Sequence, residues 1–433
     1  MQAAAGDGHH HHIRGRIRFH RHQPALRLTL KIELCIHNSN NQWEVALTGR
    51  HFLQIPGPTN VPDRVLQAIG RPTIDHRGPD FAELTHGVLA GLKKLCDCSG
   101  DVFLYPASGT GAWEAALVNT TSPGDTVLMY ETGHFAKLWS ELAQNLGLKA
   151  QIIPGSWRSG ADANAIADAL KQDPDHQIRA VCVVHNETST GCVSPIDDVR
   201  AALDATGHPA LLLVDTISSL GSIPYSHDRF GADVTIGCSQ KGLMLPPGLS
   251  FNAVGAKAME AAKQARMVRS YWSWPAMAAA NRSGAFPYTP STNLLFGLRE
   301  ALAIFEEEGL ASILARHSRH AAATRAAVAA WGLETVCTTP NHHSSSLTAV
   351  FLPEGHSADA FRAVVLKTFN MSLGNGLSRL ADKVFRIGHL GDFNDLMLAG
   401  TLSGVEMGLA LCQAPHRAGG VQAALAHLQK SLP

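Results

Sequence analysis

The chain has 433 residues, of which 45% are hydrophobic and 17% charged, and its 36 basic and 36 acidic side chains balance to a formal net charge of zero. This length and composition predict a soluble globular protein with room for two folded domains. The zero net charge argues against general attraction to nucleic acid or to an anionic membrane. Because no apolar run approaches the roughly 18–20 residues that span a bilayer, we expect no membrane segment and a cytoplasmic location.

The first 47 residues differ in composition from the rest of the chain. They contain the run His9-His10-His11-His12 and an Arg- and His-rich stretch from Arg14 to His22. An expression tag, a wrongly chosen start codon or a transit peptide would each explain this composition. We expect residues 1–47 to be a disordered, non-functional extension. The alternative from another class is a non-catalytic metal-binding or interaction protein that uses this segment, and only an enzyme would keep an activity when residues 1–47 are deleted.

Eight cysteines are scattered along the chain without a CxxC pair, which does not indicate a disulfide framework in a chain of this length. Cys96 and Cys98 form a lone CxC. We interpret it as small residues at a helix end rather than as a metal or redox site, and the sequence predicts no bound metal.

An extended arm is predicted over residues 48–70. Its segment Ile55-Pro56-Gly57-Pro58-Thr59-Asn60 contains prolines that disfavour a helix at the preceding residues, so this backbone stays open and can line a site. Helical spacing follows over residues 80–94.

Short apolar strands then alternate with amphipathic helices. Strands are predicted at residues 102–105, 127–129, 181–184, 211–214 and 234–236, and helices at 111–119, 135–146 and 196–205. Such alternation indicates an α/β domain with a mostly parallel sheet covered on both faces, which we assign to residues 71–305. Helices at 294–308 and 316–331 then lead into strands at 346–351 and 384–387 and helices at 358–368 and 392–411. This second region predicts a smaller C-terminal α/β domain over residues 306–433.

Polar residues follow these strands at the edge where open parallel sheets bind ligands. Ser108–Glu114 follows a strand and begins a helix, so its small residues and free N–H groups could form a phosphate cup, or it could be an ordinary turn. Asp215 follows four aliphatic residues and needs a partner, either a protonated ring nitrogen or an N-cap contact within 216–219.

Two cationic residues complete the pattern. Lys241 lies just past the strand at 234–236, where desolvation would favour the neutral amine that forms a Schiff base, although a surface lysine at a strand exit is the simpler interpretation. Arg386 lies in the apolar strand at 384–388, and its planar group suits either a substrate carboxylate or a structural ion pair. Taken in order, cup, aspartate, lysine and distant arginine fit one cofactor mechanism.

The chain resembles the class V aminotransferases of fold type I, and within them the bacterial serine–glyoxylate subgroup. The resemblance runs from about residue 50 to the end. The motifs that carry it are Pro56-Gly57-Pro58-Thr59-Asn60, Thr73-Ile74-Asp75-His76-Arg77-Gly78-Pro79, Ser108–Glu114, His185-Asn186-Glu187-Thr188-Ser189-Thr190-Gly191, Val214-Asp215-Thr216-Ile217-Ser218-Ser219, Ser239-Gln240-Lys241-Gly242, Pro287-Tyr288-Thr289-Pro290 and Val384-Phe385-Arg386-Ile387-Gly388-His389-Leu390-Gly391.

This resemblance implies a fold type I enzyme that uses pyridoxal 5′-phosphate, with a large cofactor domain and a smaller C-terminal domain. It implies ping-pong transamination of serine and glyoxylate to hydroxypyruvate and glycine, with alanine or aspartate as alternative donors. It also implies a homodimer with shared active sites, or a higher oligomer.

Roles for individual residues follow from the resemblance. Lys241 would be the Schiff-base lysine and would move the substrate proton, and Asp215 would bind the pyridinium nitrogen. Phe135 would stack on the cofactor ring. Thr188 would hydrogen-bond to the side of the ring that carries the hydroxyl group. Arg386 would hold the substrate α-carboxylate.

The remaining roles concern the cofactor phosphate. Thr110, Gly111 and Ala112 would cradle it together with Gln240. Thr289 would reach the phosphate of the neighbouring subunit's cofactor.

The chain departs from the family in three places. Ser378 and Asp382 stand where close relatives usually have glycine, and Ala112 stands where alanine–glyoxylate relatives often have histidine. A cysteine desulfurase is disfavoured because no cysteine lies in a glycine-rich loop near Arg386. A nucleotide-binding Rossmann protein is disfavoured because Ser108–Glu114 lacks the GxGxxG spacing.

Overall fold

The computed structural model describes residues 49–430, so the extension predicted at residues 1–47 lies outside the described residues. The strands are β1 Phe52–Gln54, β2 Asp101–Tyr105, β3 Thr126–Glu131, β4 Lys149–Pro154, β5 Ile178–Val184, β6 Asn186–Glu187, β7 Cys192–Val193, β8 Leu211–Asp215, β9 Val234–Cys238, β10 Ser250–Val254, β11 Leu347–Phe351, β12 Met371–Asn375 and β13 Val384–Gly388. The helices are α1 Asp63–Ile69, α2 Pro79–Cys96, α3 Gly109–Thr120, α4 His134–Asn145, α5 Ala163–Lys171, α6 Ile196–Thr206, α7 Ala256–Gln264, α8 Trp274–Asn281, α9 Thr292–Glu308, α10 Leu310–Trp331, α11 Ala358–Phe369, α12 Asp395–Leu411 and α13 Gly420–Lys430.

The main sheet has seven strands in the order β2-β10-β9-β8-β5-β3-β4. Strand β10 runs antiparallel to both of its neighbours, and every other pair is parallel. All five residues of β8, including its terminal Asp215, are buried, because helices cover both faces of a parallel sheet. The predicted mostly parallel sheet is therefore confirmed.

Two strands of this sheet were missed by the sequence analysis. In β10 the polar residues Ser250 and Asn252 interrupt the apolar run that marked the other strands. The Asn252 side chain is nevertheless buried, because it accepts a hydrogen bond from the Tyr105 hydroxyl and donates one to the Ala112 carbonyl oxygen. Strand β4 lies at the edge of the sheet and its side chains are largely exposed, so it has no buried apolar run to detect.

A second sheet of four strands, in the order β1-β12-β13-β11, forms in the C-terminal part of the chain. Its first strand comes from the N-terminal arm, where Phe52 pairs in parallel with Met371. The arm therefore crosses from this sheet directly toward the main sheet. The domain division proposed at residues 305 and 306 falls in the last turn of α9. Within residues 49–430 no helix is both long enough and apolar enough to cross a membrane.

One buried histidine gives the stability a defined pH dependence. His317 donates from Nδ1 to the Ile313 carbonyl oxygen at 2.7 Å and accepts from the Gly391 N–H at Nε2 at 3.0 Å. Burial lowers the pKa of this imidazole from 6.5 to about 3. Since the unfolded chain binds the proton first, the stability from neutral His317 is complete above pH 6.5 and is lost as pH falls toward 3.

We expect His317→Gln to flatten the dependence of stability on pH between 6.5 and 5 by up to about 1.4 kcal/mol per pH unit. Urea denaturation at several pH values measures this slope. His86→Gln, at an exposed histidine, serves as the control. Equal slopes in the His317 variant and the wild type would contradict the assignment.

Candidate active site

A cavity of about 160 Å³ lies at the carboxyl ends of the parallel strands. Polar side chains gather there because β5, β8 and β9 end at the same edge of the sheet. The lining residues are Ser108, Gly109, Thr110, Trp113, Phe135, Val184, Asn186, Thr188, Asp215, Ile217, Ser218, Gln240 and Lys241. The structure thus brings together six of the residues that the sequence predicted: Thr110, Phe135, Thr188, Asp215, Gln240 and Lys241.

Asp215 is the last residue of β8 and is 4% exposed. Its Oδ2 accepts a hydrogen bond from Trp113 Nε1 at 3.0 Å, and its Oδ1 accepts one from the Ile217 N–H at 2.7 Å. Burial nevertheless raises the pKa of this carboxyl to about 7, because two neutral donors do not replace the lost hydration. A cationic group in the cavity would stabilise the ionised form.

Lys241 reaches the same cavity from the loop after β9. Its Nζ donates to the Pro56 carbonyl oxygen and, at 3.4 Å, to that of Gly57. Burial lowers the pKa of the amine to about 8, and the positive charge of Arg386 lowers it further while Asp215 opposes the shift. A large share of Lys241 is therefore neutral and nucleophilic in mildly alkaline solution.

The arm packs directly over this lysine. Gly57 has φ +93°, and a Cβ there would lie 2.4 Å from Lys241 Cδ, so both backbone conformation and space require glycine. The sequence analysis predicted that the arm could line a site, and the two carbonyl oxygens it presents are its contribution.

Arg386 stands in β13 and is 6% exposed. Its Nε donates to the Asn375 carbonyl oxygen at 2.7 Å, and its Nη1 donates to that of Thr188 at 2.8 Å. Within the described part of the chain Nη2 makes no hydrogen bond and the guanidinium forms no ion pair, which disfavours the structural ion pair considered from the sequence. Burial lowers its pKa to about 10, and the nearby Glu187 carboxylate opposes that shift.

Glu187 is a functional residue that the sequence analysis did not single out. It is fully buried, and its carboxylate accepts from the N–H groups of Phe135 and Ala136 at 3.1–3.2 Å. The same carboxylate accepts from the N–H and hydroxyl of Ser189 at 3.0 and 2.6 Å. The anion therefore caps the positive end of α4 and fixes Phe135 at the cavity wall. The available signal was a glutamate within three residues of the end of the buried strand β5.

We expect Glu187→Gln to weaken cofactor binding about tenfold, because the amide turns a donor toward N–H groups that need an acceptor, and hydrogen bonds to a charged group are worth about 1.5–3 kcal/mol. Titration of the cofactor-free protein with pyridoxal 5′-phosphate, the cofactor that the sequence resemblance implies, measures this by visible absorbance. Glu187→Asp keeps the charge and should recover part of the affinity. Glu141→Gln, at an exposed residue of the same helix, should change nothing, and equal affinities of Glu187→Gln and wild type would refute the role.

Two polar atoms at the cavity test whether a cofactor fits. Asn186 Oδ1 and Gln240 Oε1 are buried, and neither finds a hydrogen-bond partner among residues 49–430. Both residues line the cavity, beside the hydrogen bond that Thr188 donates to the Ser218 hydroxyl at 2.7 Å. Since buried polar atoms are normally paired and amide oxygens accept hydrogen bonds, these two atoms fit a ligand whose polar ring substituents include hydrogen-bond donors.

The start of α3, predicted from the sequence as a phosphate cup, lines the cavity one or two residues earlier than predicted, and its binding of phosphate stays a prediction. Ser108, Gly109 and Thr110 line the cavity, whereas Gly111 and Ala112 continue the first turn outside the lining. A Cβ at Gly109 would lie 2.3 Å from the Ile217 side chain, so the helix can begin this close to the cavity only with glycine. The roles of Gly111 and Ala112 stay predictions.

Thr289 is exposed and is not part of the cavity wall. Its predicted contact lies in a neighbouring subunit and also stays a prediction.

The two loop residues that replace glycine have local partners. Ser378 (φ 50°) makes a 2.9 Å hydrogen bond with His134 Nδ1, next to Phe135, and Asp382 (φ 58°) accepts from the Asp359 N–H at 3.0 Å. These side-chain contacts offset the cost of the left-handed backbone that glycine adopts freely.

Three comparisons relate this chain to known proteins. The family model described as aminotransferase class-V matches residues 51–378. A serine–glyoxylate aminotransferase of Methylorubrum extorquens is 48% identical over 367 residues, covering 83% of this chain and 91% of the relative. An L-aspartate–glyoxylate aminotransferase of Paracoccus denitrificans is 42% identical over 387 residues, covering 89% and 98%. The crystal structure of pyridoxamine–pyruvate aminotransferase from Mesorhizobium loti superposes with a TM-score of 0.82 at 28% identity, covering 89% of this chain and 98% of that one.

Proposed function

Because this chain belongs to the class V aminotransferases, we propose that it transfers the amino group of L-serine to glyoxylate, giving hydroxypyruvate and glycine in a ping-pong sequence. The observation that carries the proposal is the pairing of Lys241 and Asp215 in one cavity, with their pKa values shifted to about 8 and about 7. Opposite shifts of an amine and a carboxyl within one cavity are typical of an acid–base site.

The family confirms two predictions: the fold is type I, and the cofactor is pyridoxal 5′-phosphate. When bound, this cofactor carries the amino group and accepts electron density from the substrate Cα. The unpaired amide oxygens of Asn186 and Gln240 would accept hydrogen bonds from its donor groups, and the N–H groups at the start of α3 would hold its phosphate.

Three residues of the site then have proposed roles. Asp215 would keep a cationic ring nitrogen paired, since its buried carboxylate has only two neutral donors. Arg386 would bind the α-carboxylate of donor and acceptor alike through its unengaged Nη2. Lys241, as a neutral amine, would take the proton from the donor's Cα and later return it to the acceptor's.

The choice of serine as donor is supported by the 48% identity to a serine–glyoxylate enzyme, against 42% to an aspartate–glyoxylate enzyme. The test is a panel of amino donors and keto-acid acceptors with the purified holoenzyme. We expect L-serine to bleach the visible absorbance of the bound cofactor and glyoxylate to restore it. If L-aspartate or L-alanine reacted faster, that amino acid would replace L-serine as the assigned amino donor. If no donor supported transamination, the proposed function would be rejected.

We expect Arg386→Lys to raise KM for both substrates about 100-fold and to leave the cofactor absorbance unchanged. The reason is that a lysine cannot make the paired, charged hydrogen bonds of a guanidinium, and such bonds are worth about 1.5–3 kcal/mol. Initial rates at varied substrate concentration measure this. Arg179→Lys, at an exposed arginine near the start of β5 that pairs with Asp125, is the control. Loss of bound cofactor in the Arg386 variant would show that this arginine binds the cofactor and not the substrate carboxylate.

A cytoplasmic homodimer is part of the proposal, with a higher oligomer built from such dimers as the alternative. It is supported by apolar side chains at the surface, where Val268 is 97% exposed and Tyr271 is 43% exposed. Tyr271 stacks on Tyr288, the neighbour of Thr289, with ring centroids 4.0 Å apart. Such a surface would be covered by a partner subunit. Sedimentation analysis of the holoenzyme would test the assembly.

A further inference from the structure

A second group of chemically active side chains lies at the edge of the main sheet opposite the cavity. Strands β2 and β9 begin at this edge, so it is far from their carboxyl ends. The segment after α2 and the segment before β9 meet here, joined by hydrogen bonds from His227 N–H to the Cys96 carbonyl oxygen at 2.8 Å and from Asp228 N–H to that of Asp97 at 3.1 Å. The two chain segments therefore hold each other in register.

Three ligand atoms converge at this junction. The thiol of Cys98, the imidazole of His227 and the carboxylate of Asp228 all lie within 4.8 Å of one another. Cys98 and His227 are buried, and Asp228 is exposed, so the group has two inner ligands and one at the solvent side. The sequence alone placed Cys98 only near a helix end, because 129 positions along the chain separate it from His227.

Neighbouring residues orient these ligands. His227 Nδ1 is hydrogen-bonded to the Thr235 hydroxyl at 2.8 Å, which leaves Nε2 for a ligand, and metal-binding histidines usually have such a partner. Asp228 Oδ2 accepts from the Ser99 N–H at 3.0 Å, so its other oxygen stays open. A Cβ at Gly255 would lie 3.3 Å from His227 Nε2, so the small residue keeps the imidazole edge accessible.

We propose that Cys98, His227 and Asp228 bind one divalent cation of the zinc class, with water as the fourth ligand. Thiolate, imidazole and carboxylate are the groups this cation prefers, at bond lengths of about 2.0–2.3 Å. The edges of such a tetrahedron are roughly 3.3–3.8 Å, so loop residues 97–99 and 227–228 close by a small amount on binding. The thiol proton of Cys98 is released to solvent, and thiolate and carboxylate together balance the dication.

The position of the site defines its role. It joins the end of α2 to the segment that leads into β9, and Lys241 lies in the loop that follows β9. The bound cation stabilises the fold without touching substrate, because it lies at the opposite edge of the sheet. Aminotransferase activity therefore should not depend on it.

The experiment uses Co²⁺ as the probe with the full-length holoenzyme, after dialysis against a chelator. We expect one sulfur-ligated Co²⁺ per chain, seen by the intense red-wavelength bands of a tetrahedral ion outside the absorbance of the cofactor. Residues His9–His12 can also bind Co²⁺, but they contain no sulfur and cannot give this signal.

Matched variants decide the outcome. Cys98→Ser should abolish the sulfur-ligated signal, Asp228→Asn should weaken binding at least tenfold, and both should keep transamination. Cys337→Ser is the control, because its thiol contacts His343 and could otherwise be the source. Absence of a sulfur-ligated ion in the wild type, its persistence in Cys98→Ser, or its loss in Cys337→Ser would each overturn the proposal.

Discussion

Replacing Lys241 with alanine should lower kcat by at least about 10⁴-fold, the upper end of what a positioned acid–base group contributes. The variant loses the only amine that lines the cavity within the described part of the chain, and this amine has a pKa lowered by burial to about 8. Under the proposed roles of Lys241, the variant loses the covalent attachment of the cofactor and the proton carrier together. Single-turnover kinetics with L-serine would measure the effect.

The control is Lys263→Ala, which removes an exposed lysine of α7 paired with Glu260. A small added amine should restore part of the activity of the Lys241 variant, because it can carry the proton although it cannot tether the cofactor. Turnover of Lys241→Ala within tenfold of the wild type would be incompatible with the proposed site.

Asp215→Asn should lower kcat by about 10²–10³-fold, the scale on which a single preorganised electrostatic partner acts. The amide keeps the shape and can still accept the Ile217 hydrogen bond, but it carries no charge to hold a cationic ring nitrogen. Cofactor should remain bound, so the loss is expected in the rate and not in occupancy. Single-turnover rates and a cofactor titration separate the two.

Trp113→Phe provides a graded comparison for this carboxyl. It removes only the 3.0 Å donor to Oδ2 and leaves the charge in place. A loss of about tenfold is expected, in line with one hydrogen bond to a charged group. If Trp113→Phe proved as damaging as Asp215→Asn, the tryptophan and not the charge of Asp215 would be the main determinant.

The fold was predictable where burial leaves a simple pattern in the sequence. The aliphatic run of β8 is buried at every position, and its strand and neighbours were predicted. Strand β10 was not, because its buried Asn252 is satisfied by Tyr105 and the Ala112 carbonyl, partners far away in the chain. Local periodicity contains no information about such distant hydrogen bonds.

The same distinction between local patterns and distant contacts applies to the site. Asp215 and Lys241 could be predicted because chemistry-bearing residues past buried strands gather at one edge of a parallel sheet. The carbonyl oxygens of Pro56 and Gly57 over Lys241 could not, since the main chain of a distant arm presents them. Glu187 was missed because its function is exerted through the backbone of Phe135.

The pairing of β1 with β12 limits how far the protein can be shortened from its amino end. Deletion of residues 1–47 leaves Phe52–Gln54 in place against Met371–Leu373. A deletion that continues through Gln54 would expose an unpaired edge on β12 and would free Ile55, whose carbonyl oxygen lies against Gly388. Fusion partners and affinity tags should therefore join the chain before residue 50. A truncation beyond that point removes the first strand of the second sheet and disturbs the arm that packs over Lys241.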